Sequence, residues 1–349
     1  MPCVAVDLFC GIGGLTHGVE LAGINVAAGI DIDETCRFAY ETNNNAKFIN
    51  EGVENVTAQF IQSLYPNNSI KILMGCAPCQ PFSNYSLRYN KDGKKDEKWK
   101  LLYYFSNIVR EMQPEIISME NVPQLETEKV FLDFVKSLEE LGYNVSWSVV
   151  NCADYGVPQL RRRLVLLASI YGKINIIPPL YNEKSYITVE DAIKKLPHIN
   201  DGETCESDLL HRASRLSKKN KERIRQSVPG GTWQDWDEEL ILPCHKKKSG
   251  NGYKSVYGRM SWDRPSPTIT TQFYGYGNGR FGHPEQDRAI SMREGAILQS
   301  FPSYYQFIDP DNQQTNRQIG IHIGNAVPVE LGRAVGRSIL QHIEEMEVE

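Results

Sequence analysis

No apolar run in this chain approaches the roughly 20 residues that a bilayer-spanning helix requires, which argues against an integral membrane class. The eight cysteines show none of the paired spacings of a disulfide framework and fit a reducing compartment. Internal repeats and low-complexity tracts are missing too, so solenoids and disordered tails are not expected. Met1-Pro2-Cys3 opens no signal peptide, and the first apolar segment, Val4 to Phe9, follows at once. A cytoplasmic protein without an N-terminal regulatory domain is the expectation. Net positive charge is also lacking: the chain carries -5 over 349 residues. Its distribution is uneven, however. Between Asp208 and Trp262 there are 12 Lys+Arg against 6 Asp+Glu, a balance of +6 that leaves the remainder at -11. A basic insert on an acidic body suits a phosphate-rich partner, although a solvated helix face around Arg212–Arg225 would read the same way.

Apolar runs alternate with amphipathic stretches through the first half. Strands are expected at 4–9, 26–30, 70–74, 116–119, 145–150 and 164–169, with helices at 99–113 and 126–142. That rhythm predicts an α/β fold with a doubly wound, mostly parallel sheet. It breaks after Tyr171-Gly172, where Pro178-Pro179 and an irregular Lys- and Gly-rich stretch to about Trp262 predict a smaller domain. A last helix from Val329 to about Met346 carries Leu331, Val335, Ile339 and Ile343 on one face, and should return to the first domain.

Chemistry concentrates at the expected strand ends, where open α/β sheets present their sites. Asp7-Leu8-Phe9-Cys10-Gly11-Ile12-Gly13-Gly14 ends the first strand in a glycine turn that opens a helix, and Asp31 ends the second strand. Glycine permits positive φ and close ligand approach, and the acid suits ribose hydroxyls. Thr16 stands where a nicotinamide site wants a third glycine, and no P-loop lysine follows. The turn therefore suits an adenosyl cofactor better than a pyrophosphate. Pro78-Cys79-Gln80 follows the third apolar run, and Glu120-Asn121-Val122 the fourth. A thiol beside a carboxyl suggests a nucleophile with an acid partner. Cys76 and Cys79 also form a C-x-x-C, which leaves a redox disulfide as the rival, although Pro81 is awkward for the helix such a site opens. Zinc is weaker, since no second close Cys or His pair supports them, and no metal is expected.

Six motifs stand in one order: Asp7–Gly14, Pro78-Cys79-Gln80, Glu120-Asn121-Val122, Gln159-Leu160-Arg161-Arg162-Arg163, Arg264-Pro265-Ser266-Pro267-Thr268 and Gly324-Asn325-Ala326-Val327-Pro328. Together they resemble the DNA (cytosine-5) methyltransferases over nearly the whole chain. The resemblance implies a Rossmann-like S-adenosylmethionine domain over 1–172 and 315–349, with a target-recognition domain over 173–314. S-adenosylhomocysteine is the implied product. Cys79 would be the thiolate that adds to carbon 6 of cytosine, making carbon 5 nucleophilic. Glu120, in its protonated form, would face the ring nitrogen, and Asn121 would orient it or hold the loop. Arg163 would reach the base carbonyl oxygen and Arg161 the phosphate or Glu120, with Arg162 pointing away. Phe9 and Ile32 would flank the adenine and Asp31 the ribose. Gly11, Gly13, Gly14, Pro78, Leu101, Asn325 and Val327 complete the implied cofactor set. The acid that usually meets the adenine amino group is displaced here: Asn50-Glu51-Gly52-Val53 puts glycine nearest its place, leaving Glu51 or a backbone group.

Double-stranded DNA is the implied partner, with the cytosine swung outward because its stacked neighbours shield it. The stretch 83–98 reads as a lid, with Ser83 and Arg88 on phosphate. Lys218, Lys219, Arg223, Lys246–Lys248, Lys254 and Arg280 are candidates for backbone contacts. Gly230–Trp233 and Gly275–Arg280 read as base-reading or scaffold loops. The chain suits the modification enzyme of a restriction-modification system, acting as a monomer in the bacterial cytoplasm beside a cognate nuclease. A tRNA-directed relative is the near rival, but its Cys-Phe-Thr stretch is missing. An inactive relative is disfavoured by the intact Cys79, Glu120 and Arg163.

Overall fold

The computed structural model describes residues 2–78, 95–248, 250, 252–312 and 314–348, giving the backbone alone for 95–99 and Val348. Cys79, Ser83, Arg88 and most of the expected lid lie outside the described residues. The chain forms two compact units: Met1–Tyr155, Arg162–Leu180 and Val327–Glu349 make the first, Gly156–Arg161 and Tyr181–Ala326 the second.

The first unit is built on a seven-stranded sheet. Its strands are β1 (Cys3–Leu8), β2 (Asn25–Asp31), β3 (Lys47–Asn50), β4 (Ile70–Gly75), β5 (Ile116–Asn121), β6 (Asn144–Asn151) and β8 (Arg162–Ser169). The spatial order is β3-β2-β1-β4-β5-β8-β6, parallel from β3 to β5. Strand β8 runs antiparallel to both β5 and β6, so the sheet is mostly rather than wholly parallel. Every residue of β5 is buried, as a strand covered on both faces requires.

Side chains alternate across β1. Val4, Val6 and Leu8 join one core cluster with α3 (Ala58–Ser63), α4 (Lys95–Met112) and α5 (Lys129–Glu140), through Ile61, Phe105 and Phe134 among others. Asp7 falls on the opposite face. There α1 (Gly14–Ala22) meets the final helix α10 (Val329–Val348), whose Leu331, Val335, Ile339 and Ile343 are all buried as the periodicity predicts. The two helices touch backbone to backbone. A Cβ on Gly18 would fall inside the Val329 carbonyl oxygen, and one on Gly332 would lie 2.9 Å from the Leu15 carbonyl oxygen.

The second unit has little regular structure. It holds α6 (Val189–Ile193), α7 (Lys218–Gln226), α8 (Met292–Leu298), α9 (Asn316–Asn325) and two-residue ladders such as β7 (Gln159–Leu160) against β11 (Ser266–Pro267). Its small core gathers Leu216, Ile224, Trp233, Trp236, Tyr276 and Ala289. Irregular backbone leaves carbonyls without ladder partners, and buried arginines supply the donors. Arg259 serves the carbonyls of Ile224, His283 and Gln286; Arg288 those of Ile199 and Ala289; Arg293 that of Tyr305. Arg288 also grips the buried Glu294 with two bonds of 2.7 Å.

The unit boundaries shift from those expected. Residues 315–326 belong to the second unit, because Gly320 and Gly324 of α9 lie against Thr270–Tyr274 too closely for any Cβ. Gly156–Arg161 joins it too, through the β7–β11 pairing. Only from Val327 does the chain return to the first unit.

The α1–α10 contact yields a stability test. Ala is the better helix former by about 1 kcal/mol, whereas overpacking against rigid backbone costs about 1–3 kcal/mol, so the clash wins. Gly18→Ala should lower the denaturant midpoint of unfolding without changing its slope; a raised midpoint would mean the helices separate freely.

Candidate active site

The glycine turn after β1 uses three consecutive odd positions in left-handed backbone: Phe9 at φ 60, Gly11 at φ 52 and Gly13 at φ 84. Gly13 caps α1 without any side chain, and the Asp7 carboxyl below takes the Thr16 N–H of the first turn instead. The Gly11 N–H donates to Asp31 Oδ2 at 2.8 Å, and the Asp33 N–H donates to Oδ1 at 2.9 Å. The carboxylate at the end of β2 is therefore fixed against the turn. A Cβ on Gly11 would meet nothing within 4 Å, so the turn's outer side is open. Ile32, next along, is 69% exposed. Phe9 is half-buried and packs on the core cluster, and Leu101 is half-buried on α4.

Beneath the turn lies a buried polar chain. Thr16 Oγ1 donates to Asp7 Oδ2 at 2.7 Å and lies 3.1 Å from the Tyr40 hydroxyl. Thr16 thus stands where a third glycine would be because its hydroxyl is needed below. Burial pushes the Asp7 carboxyl up to about 7; the Thr16 bond opposes this and the nearby Asp31 charge adds to it.

At the other side of β1, β4 ends at Gly75 and the chain runs through Cys76-Ala77-Pro78 toward Cys79. Asn121 at the tip of β5 donates from Nδ2 to the Ala77 carbonyl at 3.0 Å, while its Oδ1 accepts the Val122 N–H at 2.8 Å. Of the two roles expected for it, the amide fills the second: it ties down the loop that leads to Cys79. Glu120 is 4% exposed. Its Oε2 accepts the Cys76 thiol at 2.7 Å, and Arg163 Nε lies 2.8 Å from Oε1. The Arg163 contact is a charge pairing off the hydrogen-bond line, since Oε1 lacks a well-aligned donor among the described residues. Antiparallel β8 makes this pairing possible by setting Leu164 opposite Asn121, with Arg163 one residue beyond.

Two expectations need correction. Arg161, expected on the phosphate or Glu120, is buried, and its guanidinium donates to the carbonyls of Ile269 at 2.8 Å and Gly324 at 3.1 Å, inside the second unit. Arg163 takes the place beside Glu120, and Arg162 is exposed. Arg223 is no surface cation either. It is 8% exposed, donates to the Leu240 carbonyl at 2.9 Å and lies over the rings of Trp236 and Tyr257. Within the two candidate loops, Trp233 and Tyr276 are core side chains, so those positions are scaffold. Lys218, Lys219, Lys254 and Arg280 are exposed.

The open question near Gly52 gains an answer in part. Glu51 curls back to the Gly52 N–H and Asn55, both at 2.9 Å, and the carboxylate that covers Gly52 belongs to Glu54. Asn325 is exposed in the second unit, whereas Val327 is buried in the first. Sequence reasoning passed over Cys76 as half of a C-x-x-C; its contact with Glu120 depends on β4 and β5 being neighbours.

A glycine-turn crevice and a buried carboxylate-guanidinium pair at adjacent strand ends define an α/β group-transfer enzyme. The sequence profile of the family described as C-5 cytosine-specific DNA methylase matches residues 4–341. The type II methylase M.HgiDII of Herpetosiphon aurantiacus is 55% identical over 99% of this chain and 97% of its own length. M1.BsuMI of Bacillus subtilis, a type II methyltransferase, is 34% identical over 93% of this chain and 77% of its own. Among solved structures, the Entamoeba histolytica methyltransferase EhMeth superposes with a TM-score of 0.68 at 17% identity, covering 98% of this chain and 99% of that one. This chain belongs to the C-5 cytosine-specific DNA methylase family.

Asp7 gives the site a pH signature. Its carboxyl holds a proton up to about 7 in the folded protein, against roughly 4 when unfolded. The folded state therefore binds more protons between those values, and stability falls as pH rises through that window. Asp7→Asn should remove this part of the slope in unfolding midpoints measured from acid to neutral pH. Glu20, also raised to about 7, is common to both proteins and cancels in the comparison. Identical slopes would contradict the assignment.

Proposed function

We propose that this enzyme transfers a methyl group from S-adenosylmethionine to carbon 5 of a flipped-out cytosine in double-stranded DNA, through a covalent Cys79 adduct at carbon 6. The observation that carries this reading is the buried Glu120, paired with Arg163 and tied through its neighbour Asn121 to the loop that leads to Cys79. Carbon 5 of cytosine is a poor nucleophile. The Cys79 thiolate adds to carbon 6 while Glu120, protonated, donates to the ring nitrogen and draws off the developing charge. Arg163, half-buried beside that carboxyl, is placed to meet the base carbonyl oxygen as well. The burial of Glu120 is consistent with a base taken out of its stack rather than one read in a groove.

The residues of the first unit fit an adenosyl cofactor. The open outer side of Gly11 and the fixed Asp31 carboxylate would hold it, with Phe9 and Ile32 at its faces. When bound, the cofactor supplies an electrophilic methyl group. The second unit then serves as target-recognition domain. Of the 12 cations between Asp208 and Trp262, Arg223 and Arg259 are buried, and eight are exposed, Lys218, Lys219 and Lys254 among them. Those exposed cations are the candidates for phosphate contact. Service as the modification half of a restriction-modification system, in the bacterial cytoplasm and as a monomer, completes the proposal.

Labelled S-adenosylmethionine and mixed-sequence DNA test the reaction, and bisulfite sequencing reads out the methylated position. DNA label in one sequence context is expected, with Cys79→Ser reducing the rate at least a thousandfold, roughly the loss of a covalent nucleophile. Label in RNA but not in DNA, or an undiminished Cys79→Ser, would contradict the reading. For DNA affinity, Lys218→Ala and Lys219→Ala should each reduce the slope of log affinity against log salt by about 1. Arg223→Ala should leave that slope alone and lower the melting temperature.

A further inference from the structure

Cys76 leaves β4 one residue past Gly75, half-buried, with its sulfur aimed at Glu120 Oε2 across 2.7 Å. The thiol donates and the carboxyl oxygen accepts. Among the described residues, the charged or titratable groups within bonding distance of Glu120 are Cys76, from the loop after β4, and Arg163, from β8. They engage different oxygens. Arg163 supplies charge to Oε1, and Cys76 fixes Oε2, so the plane of the carboxyl is set at both ends. Each oxygen retains a lone-pair position for a second partner.

Resting on the methyl-transfer reading above, we propose that Cys76 is a positioning residue for this reaction. Its thiol hydrogen holds Glu120 Oε2 and so fixes the direction in which the acid meets the cytosine ring nitrogen. Without the thiol the carboxyl loses one of its two anchors, and the maximal rate falls. This role also accounts for the C-x-x-C spacing without any disulfide, because the first sulfur is committed to the carboxylate.

The test uses the full chain with methylatable DNA, measuring kcat and KM for the parent, Cys76→Ala and Cys76→Ser. Cys76→Ala should lower kcat about fivefold, the worth of about one hydrogen bond, with KM for DNA little changed. Cys76→Ser, which keeps a donor, should restore the rate. In a Glu120→Gln background, followed by single turnover, Cys76→Ala should cause no further loss of that size. A Cys76→Ala kcat that coincides with that of an active parent overturns the role of Cys76 alone. So does an equal loss in the Glu120→Gln background. A parent that methylates no DNA overturns both this proposal and the reading beneath it.

Discussion

A carboxylate with 4% exposure is expensive to keep, and the end of β5 keeps one. Removing such an ion from water costs several kcal/mol, which a single well-placed cation and a hydrogen bond must offset. Arg163 and the Cys76 thiol do so from two different strand ends. This pairing constrains the architecture around it. Strand β8 must lie next to β5 and run antiparallel to it, otherwise Arg163 would emerge at the opposite end of the strands. The fully buried β5 in turn requires helices on both faces, and the backbone-to-backbone meeting of α1 and α10 closes one of them.

The two units solve the same backbone problem in different ways. In the first, carbonyls and N–H groups pair along a continuous ladder. In the second, ladders are two residues long, and arginine guanidinium groups take over as donors to irregular backbone. Part of the positive charge that composition suggests for nucleic-acid binding is thus consumed internally. Arg223 and Arg259 hold the unit together, while the lysines of α7 and the residues about Lys254 remain at its surface. Lysine and arginine are not equivalent here: the planar fork offers five N–H donors in fixed directions, which suits several carbonyls at once.

The strands expected at 4–9, 26–30, 70–74, 116–119, 145–150 and 164–169 all have observed counterparts, because continuous apolar runs mark buried strands directly. Direction was not legible, since an apolar run carries no sign of polarity; hence β8 runs against the others. The short β3, with its alternating exposure, was missed for lack of a run. Local chemistry was legible where a motif sits at a strand end, as with Glu120, Asn121 and Asp31. It was not legible where a partner lies far along the chain. Arg161 answers to Gly324, Arg223 to Trp236 and Tyr257, and Cys76 to Glu120, contacts that only the tertiary fold creates.

The central claim is that Glu120 acts as the acid while a thiol adds to the cytosine. Trapping on DNA whose target cytosine carries fluorine at carbon 5 tests it most directly, because the adduct cannot resolve and accumulates. The parent should become covalently bound in the presence of S-adenosylmethionine, and Glu120→Gln, which keeps the shape but not the acid, should form the adduct at least a hundredfold more slowly, the scale of one general-acid contribution. Adduct formation by Glu120→Gln at the parent's rate would contradict the account.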